Sequence, residues 1–338
     1  MNFSPKFIVF NWITLVSIYL VVVAGSFVRI SGSGMGCPDW PKCFGQWIPP
    51  TDSSALPADY KDIYLEKREK KVDKFSSFLS TLGMSEQAQD LKSDPSIYVE
   101  ENFNAQKTWV EYVNRLLGFL AGNFMLIAFL WMLFFYRSSG LVFIAFGNLI
   151  LMAIEAWFGS IVVATNLLPW TITIHMLLAL VIIAVQTYIL YGISPLLQRK
   201  VQVPKWMLTA VWLIFLITFY QMFLGTQVRE DIDALVKQGY SREEWVDALG
   251  LPFFIHRSFS WLVLIGLSYM AWRNEKSFKV VLIRAAFIVL AVELLTGVLL
   301  AYADMPGLVQ TAHLIFATVL FGLLWVSILR FRTKGITT

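Results

Sequence analysis

Eight apolar stretches, each about as long as a bilayer is thick, constrain this chain more than any other feature. They run over roughly 7–28, 108–136, 141–165, 171–193, 206–228, 252–272, 279–302 and 307–330. A helix rises 1.5 Å per residue, so about 20 residues cross a hydrocarbon core of roughly 30 Å. With 57% hydrophobic and 15% charged residues among 338, a pair of soluble domains is excluded. The expected fold is an all-α membrane protein of eight transmembrane helices.

The first span runs from Phe7 to Val28 with no small-residue cleavage site behind it, and no Arg- and Ser-rich transit segment precedes it. It therefore reads as a retained helix of a multi-pass protein in a prokaryotic plasma membrane. Lys6, Arg137, Arg199, Lys200, Lys205, Arg273, Lys276, Lys279, Arg330, Arg332 and Lys334 all fall on one side of the eight spans. The positive-inside rule makes that side cytoplasmic, together with both termini. The net charge of +4 is thus a consequence of topology, and no nucleic-acid partner is expected. The other side carries two short loops without Lys or Arg and two long ones, about 29–107 and 229–251.

Both cysteines, Cys37 and Cys43, stand in the first long loop with Pro38 and Pro41 between them. Outside the cytoplasm a disulfide is the default for such a pair; thiolate metal binding or a redox-active dithiol are the sharper alternatives. Residues 57–100 are charged, and from Tyr60 apolar positions recur at three and four, which predicts an amphipathic helix over the outer face. Its plain reading is a solvated lid.

Ionisable groups inside spans are candidates for function, with helix-to-helix pairing as the structural alternative. Glu111 and Asn114 share one face near the start of the second span. Glu155 lies in the third, His175 opens the fourth, and the remaining two of three histidines are His256 and His313.

The second half repeats landmarks of the first. Glu155 with Gly159 matches Glu293 with Gly297, and His175 matches His313, at an offset of 138 in both cases. Asn114-Arg115 matches His256-Arg257 at 142, and Gly25 to Arg29 matches Gly225 to Arg229 at 200. Four landmarks in one order predict an internal duplication, and an even number of helices per copy makes the repeats parallel. The expected domains are a four-helix half over 1–200, with the long loop 29–107, and a second over 201–338.

Second and fourth helices of each half enter from the outer side, which sets His256 opposite His313 and Asn114 opposite His175. Two histidines at one depth between facing helices suit the two axial positions of a porphyrin iron. The bland reading is a hydrogen-bonded structural pair. Zinc would want three or four ligands and finds no such cluster. Arg29, Arg115, Arg229 and Arg257 stand at the outer boundary, where they either meet porphyrin carboxylates or snorkel from helix ends.

The run from Gly34 through Cys37-Pro-Asp-Trp-Pro-Lys-Cys43 to Pro50, the entry Glu111-Tyr-Val-Asn114-Arg115, the two-half architecture and the histidine positions resemble the heme A synthase family. That resemblance covers all eight spans. It implies oxidation of a methyl group of heme O to a formyl group by successive hydroxylations. It implies a resident heme b held by His256 and His313, with Arg257 and Arg115 beside the ligand positions. It also implies heme O as substrate in the N-terminal half, with His175 at its iron, Glu111 as the acid of the reactive site, and Cys37 and Cys43 as the outer-loop pair. The chain departs from the commoner family pattern at Asn114, where a histidine is usual. Asparagine is a poor iron ligand, which leaves an open position for chemistry or signals altered activity.

A heme O synthase is the expected upstream partner; the electron acceptor and the oligomeric state are not written in the sequence. The reading competes with a membrane b-type cytochrome that relays electrons to or from quinone, and with a heme-transfer protein without catalysis. A structural Glu111 paired with Arg115 is the alternative to a catalytic one.

Overall fold

A computed structural model describes residues 2–137 and 139–333, so Lys334 of the basic set lies outside the described residues. Twelve helices are named here in chain order. They are α1 (Pro5–Ile30), α2 (Tyr60–Thr81), α3 (Ser85–Ser93), α4 (Ala105–Phe135), α5 (Leu141–Ala164), α6 (Pro169–Ile193), α7 (Pro195–Gln198), α8 (Lys205–Lys237), α9 (Trp245–Ala248), α10 (Leu251–Ser277), α11 (Val281–Tyr302) and α12 (Gly307–Arg330). Among the described residues eight of them, α1, α4, α5, α6, α8, α10, α11 and α12, are long and apolar enough to cross a membrane. The strands among the described residues are a three-residue parallel pair, β1 (Val201–Val203) and β2 (Phe331–Thr333). Prolines punctuate the starts: Pro169, Pro195 and Pro252 sit in first turns, where a missing N–H is harmless.

The expected span 206–228 is exceeded by its helix, since α8 continues to Lys237. Hydropathy marks where lipid ends, whereas a helix continues as long as its polar turns find partners. Arg229 pairs with Asp233 one turn on, at 2.9 Å.

The chain divides into two compact units. The first comprises Met1–Tyr19, Ile127–Asn148 and Leu180–Thr338. Within it α8 packs on α10, α10 on α11, α11 on α12, and α12 back on α8, a closed four-helix ring. Its core takes residues at helical spacing: Met207, Val211 and Ile214; Val263, Leu267 and Met270; Ile283, Ala286 and Leu290; Leu320, Leu324 and Ile328. Lipid is as apolar as this core, so close packing and dispersion hold it together more than removal from water. Asn274, fully buried, ties the α10–α11 turn by donating to Val280 O at 3.1 Å and accepting from Val280 N at 2.8 Å. The same unit holds a buried amide chain: Asn148 donates to Gln186, and Gln186 to Asn11.

The second unit comprises Leu20–Leu126 and Leu149–Ala179. Its loop segment is built, as expected, on an amphipathic helix. Val72, Phe75 and Leu79 of α2 pack with Ala88 and Leu91 of α3, with Ile97, and with Phe158, Ile161 and Val162 of α5. Arg68, also on the packed side of α2, is buried and donates to the carbonyls of Ile97 and Val99 while pairing with Glu100 at 2.9 Å. Burial pulls the Arg68 guanidinium below its ordinary range and raises the Glu100 carboxyl above its own.

Candidate functional sites

His256 on α10 and His313 on α12 come together within the first unit, their ring centroids 6.3 Å apart and their planes at 77°. Two metal–nitrogen bonds of about 2 Å, each continued by a ring radius of about 1 Å, require a separation of about 6 Å. The observed 6.3 Å matches that separation.

Hydrogen bonding prepares one ring for that role. Thr296 Oγ1 donates to Glu293 O at 2.7 Å, so its free lone pairs face His313 Nδ1 at 2.9 Å. Nδ1 therefore carries the proton, and the lone pair is left on Nε2 as a ligand nitrogen. Glu293 Oε1 lies a further 3.2 Å from Nδ1. His256 is anchored differently: Gln221 donates to its backbone carbonyl at 2.9 Å, and its Nδ1 is buried without a hydrogen-bond partner. Each ring lies against a glycine. A Cβ on Gly225 would stand 3.6 Å from His256 Cε1, and one on Gly297 would stand 3.3 Å from His313 Cε1. Among the described residues no group of three or more His, Cys, Asp or Glu could hold a bare metal ion. Two ligands suffice for an iron whose other four bonds come from a porphyrin, so the pair fits that group and not zinc.

Arg229 links α8 to α12 close to His313 by donating to Gln310 at 2.6 Å. Arg257 is exposed and, among the described residues, forms no ion pair.

The second unit contains the matching elements with one change. His175 on α6 places Nδ1 3.0 Å from Glu155 Oε1 on α5, and a Cβ on Gly159 would stand 3.1 Å from its Cε1. These contacts parallel those of His313 with Glu293 and Gly297. Asn114 on α4 has its Oδ1 buried without a hydrogen-bond partner and close to Gly25, where a Cβ would stand 3.9 Å away.

Cys37 and Cys43 form a disulfide with both residues fully buried. The loop that carries it is fastened to the first turns of α4 by residues at three- and four-residue spacing. Thr108 Oγ1 donates to Gly36 O at 2.8 Å, and Glu111 Oε2 accepts from Cys37 N at 2.7 Å. Arg115 pairs with Glu111 and donates to the carbonyls of Cys37 at 2.7 Å, Lys42 at 3.1 Å, and Asp39. Gly36 is required here, since a Cβ would lie 2.5 Å from the Lys107 carbonyl oxygen. The pairing of Glu111 with Arg115, one of two sequence readings, is thus present. Its engagement with the cysteine loop had no sequence signal, because loop carbonyls leave none. Thr296 was likewise missed: its counterpart in the first half is Phe158, outside any repeated pattern.

Eight helices long and apolar enough to span a membrane, a ring of four of them carrying the paired histidines, and a disulfide-stapled loop define a multi-span membrane protein. The chain belongs to the COX15-CtaA family of cytochrome oxidase assembly proteins, whose family model matches residues 8–78 and 83–325. Relatives named heme A synthase are similar to it at low identity. That of Wolbachia sp. subsp. Brugia malayi is 22% identical, covering 92% of this chain and 93% of its own length. The Bradyrhizobium sp. (strain BTAi1) protein is 26% identical over 71% of this chain and 60% of its own length. The Shewanella oneidensis protein is 24% identical over 49% of this chain, which spans only 39% of that relative.

Proposed function

We propose that this protein is a heme A synthase, an oxidoreductase that converts a methyl group of heme O to a formyl group. The observation that carries this reading is the His256–His313 pair at 6.3 Å, in a chain of this family. The proposed organisation is two parallel four-helix halves, 1–200 and 201–338. In the later half His256 and His313 would hold a resident heme b, with Arg257 free for a propionate; bound there, heme b would supply one-electron redox chemistry.

In the earlier half His175 binds the substrate iron from one side, oriented by Glu155. Asn114 leaves the other side without a strong ligand, which suits a substrate that must enter and leave. Glu111 and Arg115 hold the cysteine loop over this end, and the Glu111 carboxylate is the acid for proton movement beside the reacting methyl. Arg115 is the propionate partner wherever the loop releases its guanidinium. The sites face the outer side of a prokaryotic plasma membrane, with both termini cytoplasmic, and a heme O synthase supplies the substrate.

A second reading, electron relay without heme modification, draws on the occupied state of Glu111: a carboxylate clamped by Arg115 and Cys37 N–H has structural work already. Pigment analysis of the purified protein, co-expressed with a source of heme O, separates the two. Heme A together with heme B supports the synthase; heme B alone, with heme O supplied, overturns it in favour of relay.

A further inference from the structure

The loop helix α2 does more than cover the end of the second unit. Between it, the cysteine loop and the end of α5 lies a cleft of about 530 Å³, within the range of small-molecule sites. One lip is cationic: Lys67, Lys70, Lys71 and Lys74 recur at three and four residues, presenting ammonium groups one helical turn apart. The α5 and cysteine-loop side is apolar and aromatic, with Trp157 and Trp40, joined by Phe78 of α2 itself, each close to half exposed.

The four lysines differ in what holds them. Lys70 pairs with Glu66, and Lys67 lies over the Tyr64 ring at 4.5 Å, whereas among the described residues Lys71 and Lys74 form no ion pair. Lys71 is also half-buried. Burial first, and then the Arg115 charge, pull its ammonium down to about 8, with Asp39 opposing. A cation kept in such a place without a counter-ion is stabilised by an anion that arrives. The acid at the lip, Asp39, accepts from Gly45 N at 3.0 Å through one oxygen; it forms no ion pair with Lys71, though its charge partly offsets the burial.

A ligand for this cleft needs a flat apolar body for the aromatic wall and anionic groups at one edge for neighbouring lysines. We propose that the cleft is a docking site for the carboxylate edge of the tetrapyrrole substrate, separate from the iron-binding positions. The proposal rests on the function proposed above. Pro38, Asp39 and Trp40 of the loop fastened by Glu111 and Arg115 line the cleft, so a tetrapyrrole held here lies in the same unit as His175. The dicarboxylate, planar chemistry distinguishes it from a phospholipid, whose head carries one phosphate and whose chains do not stack on indole.

The test is fluorescence titration of the full-length protein, in neutral phosphatidylcholine nanodiscs, with iron-free protoporphyrin IX, which no histidine can ligate. Lys71→Gln/Lys74→Gln should weaken binding by roughly 10- to 100-fold, about tenfold for each charge-assisted hydrogen bond removed. Lys71→Arg/Lys74→Arg should retain it, which excludes misfolding as the cause. Protoporphyrin dimethyl ester should bind the wild type as weakly as the acid binds the Gln variant. Equal affinity in wild type and Gln variant, or ester binding as tight as acid, overturns the proposal. Displacement of porphyrin by phosphatidylglycerol added to the nanodiscs would assign the cleft to lipid instead. Lysine-independent binding with heme A still formed sinks the cleft alone; lysine-dependent binding without heme A sinks the synthase reading alone.

Discussion

Removing the Arg115 guanidinium should expose the disulfide, by an amount that can be estimated. The side chains of Arg115 and Glu111 are only 14% and 4% exposed, so their ion pair is little screened. In Arg115→Met three loop carbonyls lose a donor, and Glu111 keeps backbone N–H groups of Gly36 and Cys37 but no counter-charge. Breaking a buried pair from one side costs about 3–5 kcal/mol, and 1.4 kcal/mol is tenfold, so loop opening should rise by at least roughly 100-fold and up to several thousand-fold. Cys37 and Cys43 are fully buried, so a reductant reaches them only in the open state. The assay is the rate of disulfide reduction by a membrane-impermeant phosphine, followed by alkylation and mass analysis. Arg115→Met should speed it on the order of 100-fold. Glu111→Gln, which keeps an acceptor for Cys37 N–H and loses the charge, should give about tenfold. A rate within twofold of wild type for Arg115→Met would refute the clamp, leaving Glu111 to the chemistry alone.

Four further outcomes are expected. His256→Ala and His313→Ala should each abolish a low-spin b-type absorption spectrum; its retention in either would show that the pair is not axial. Thr296→Val removes the nearest of the acceptors around His313 Nδ1–H, leaving the Glu293 oxygens at 3.2 Å, and hemin titration should then show heme affinity reduced by about tenfold, the low end for ligand-orienting partners. Asn114→His should add a second low-spin signal by giving His175 a partner, while slowing heme A formation measured by pigment extraction. The Lys71 ammonium is lowered to about 8, so between that pH and its unfolded value the unfolded chain binds more protons; thermal stability of the α2 region should therefore rise with pH across that window and be flat below it, with Arg115 and Asp39 the charges that tune it.

Much of the membrane architecture was legible, because lipid leaves little choice: apolar length alone located α1, α4, α5, α6, α8, α10, α11 and α12. What escaped was set outside lipid. The nine residues of α8 beyond Val228 are helical through polar pairing, which hydropathy does not see. The basic stripe of α2 was visible as charge, but the aromatic wall opposite it comes from α5 and the cysteine loop, over a hundred residues apart in sequence. Cys37 and Cys43 had three chemical readings by composition and compartment; their burial and bonding select the disulfide. His256 and His313 were paired from repeated landmarks, whereas the Thr296 bond that fixes the tautomer lies outside the repeat and could not be inferred.

The backbone supplies a test of duplication that side chains cannot. Asn166 and Leu167, in the turn between α5 and α6, take left-handed conformations with φ of 50° and 60°. Asp304 and Met305, between α11 and α12, do the same with φ of 54° and 49°. Two successive non-glycine residues in that region are uncommon: Asn166 and Asp304 are of the types that tolerate it best, whereas nothing in the identities of Leu167 and Met305 asks for it. Yet they are separated by the same 138 positions that relate Glu155 to Glu293 and His175 to His313. We propose a shared ancestor for the two helix pairs, which would account for turn, acid, glycine and histidine together. On that reading the difference at Asn114 and His256 carries information: two nitrogen ligands would favour a cofactor that stays, whereas a single one, in the unit that also holds the clamped acid and the cationic cleft, would favour a molecule that arrives, reacts and departs.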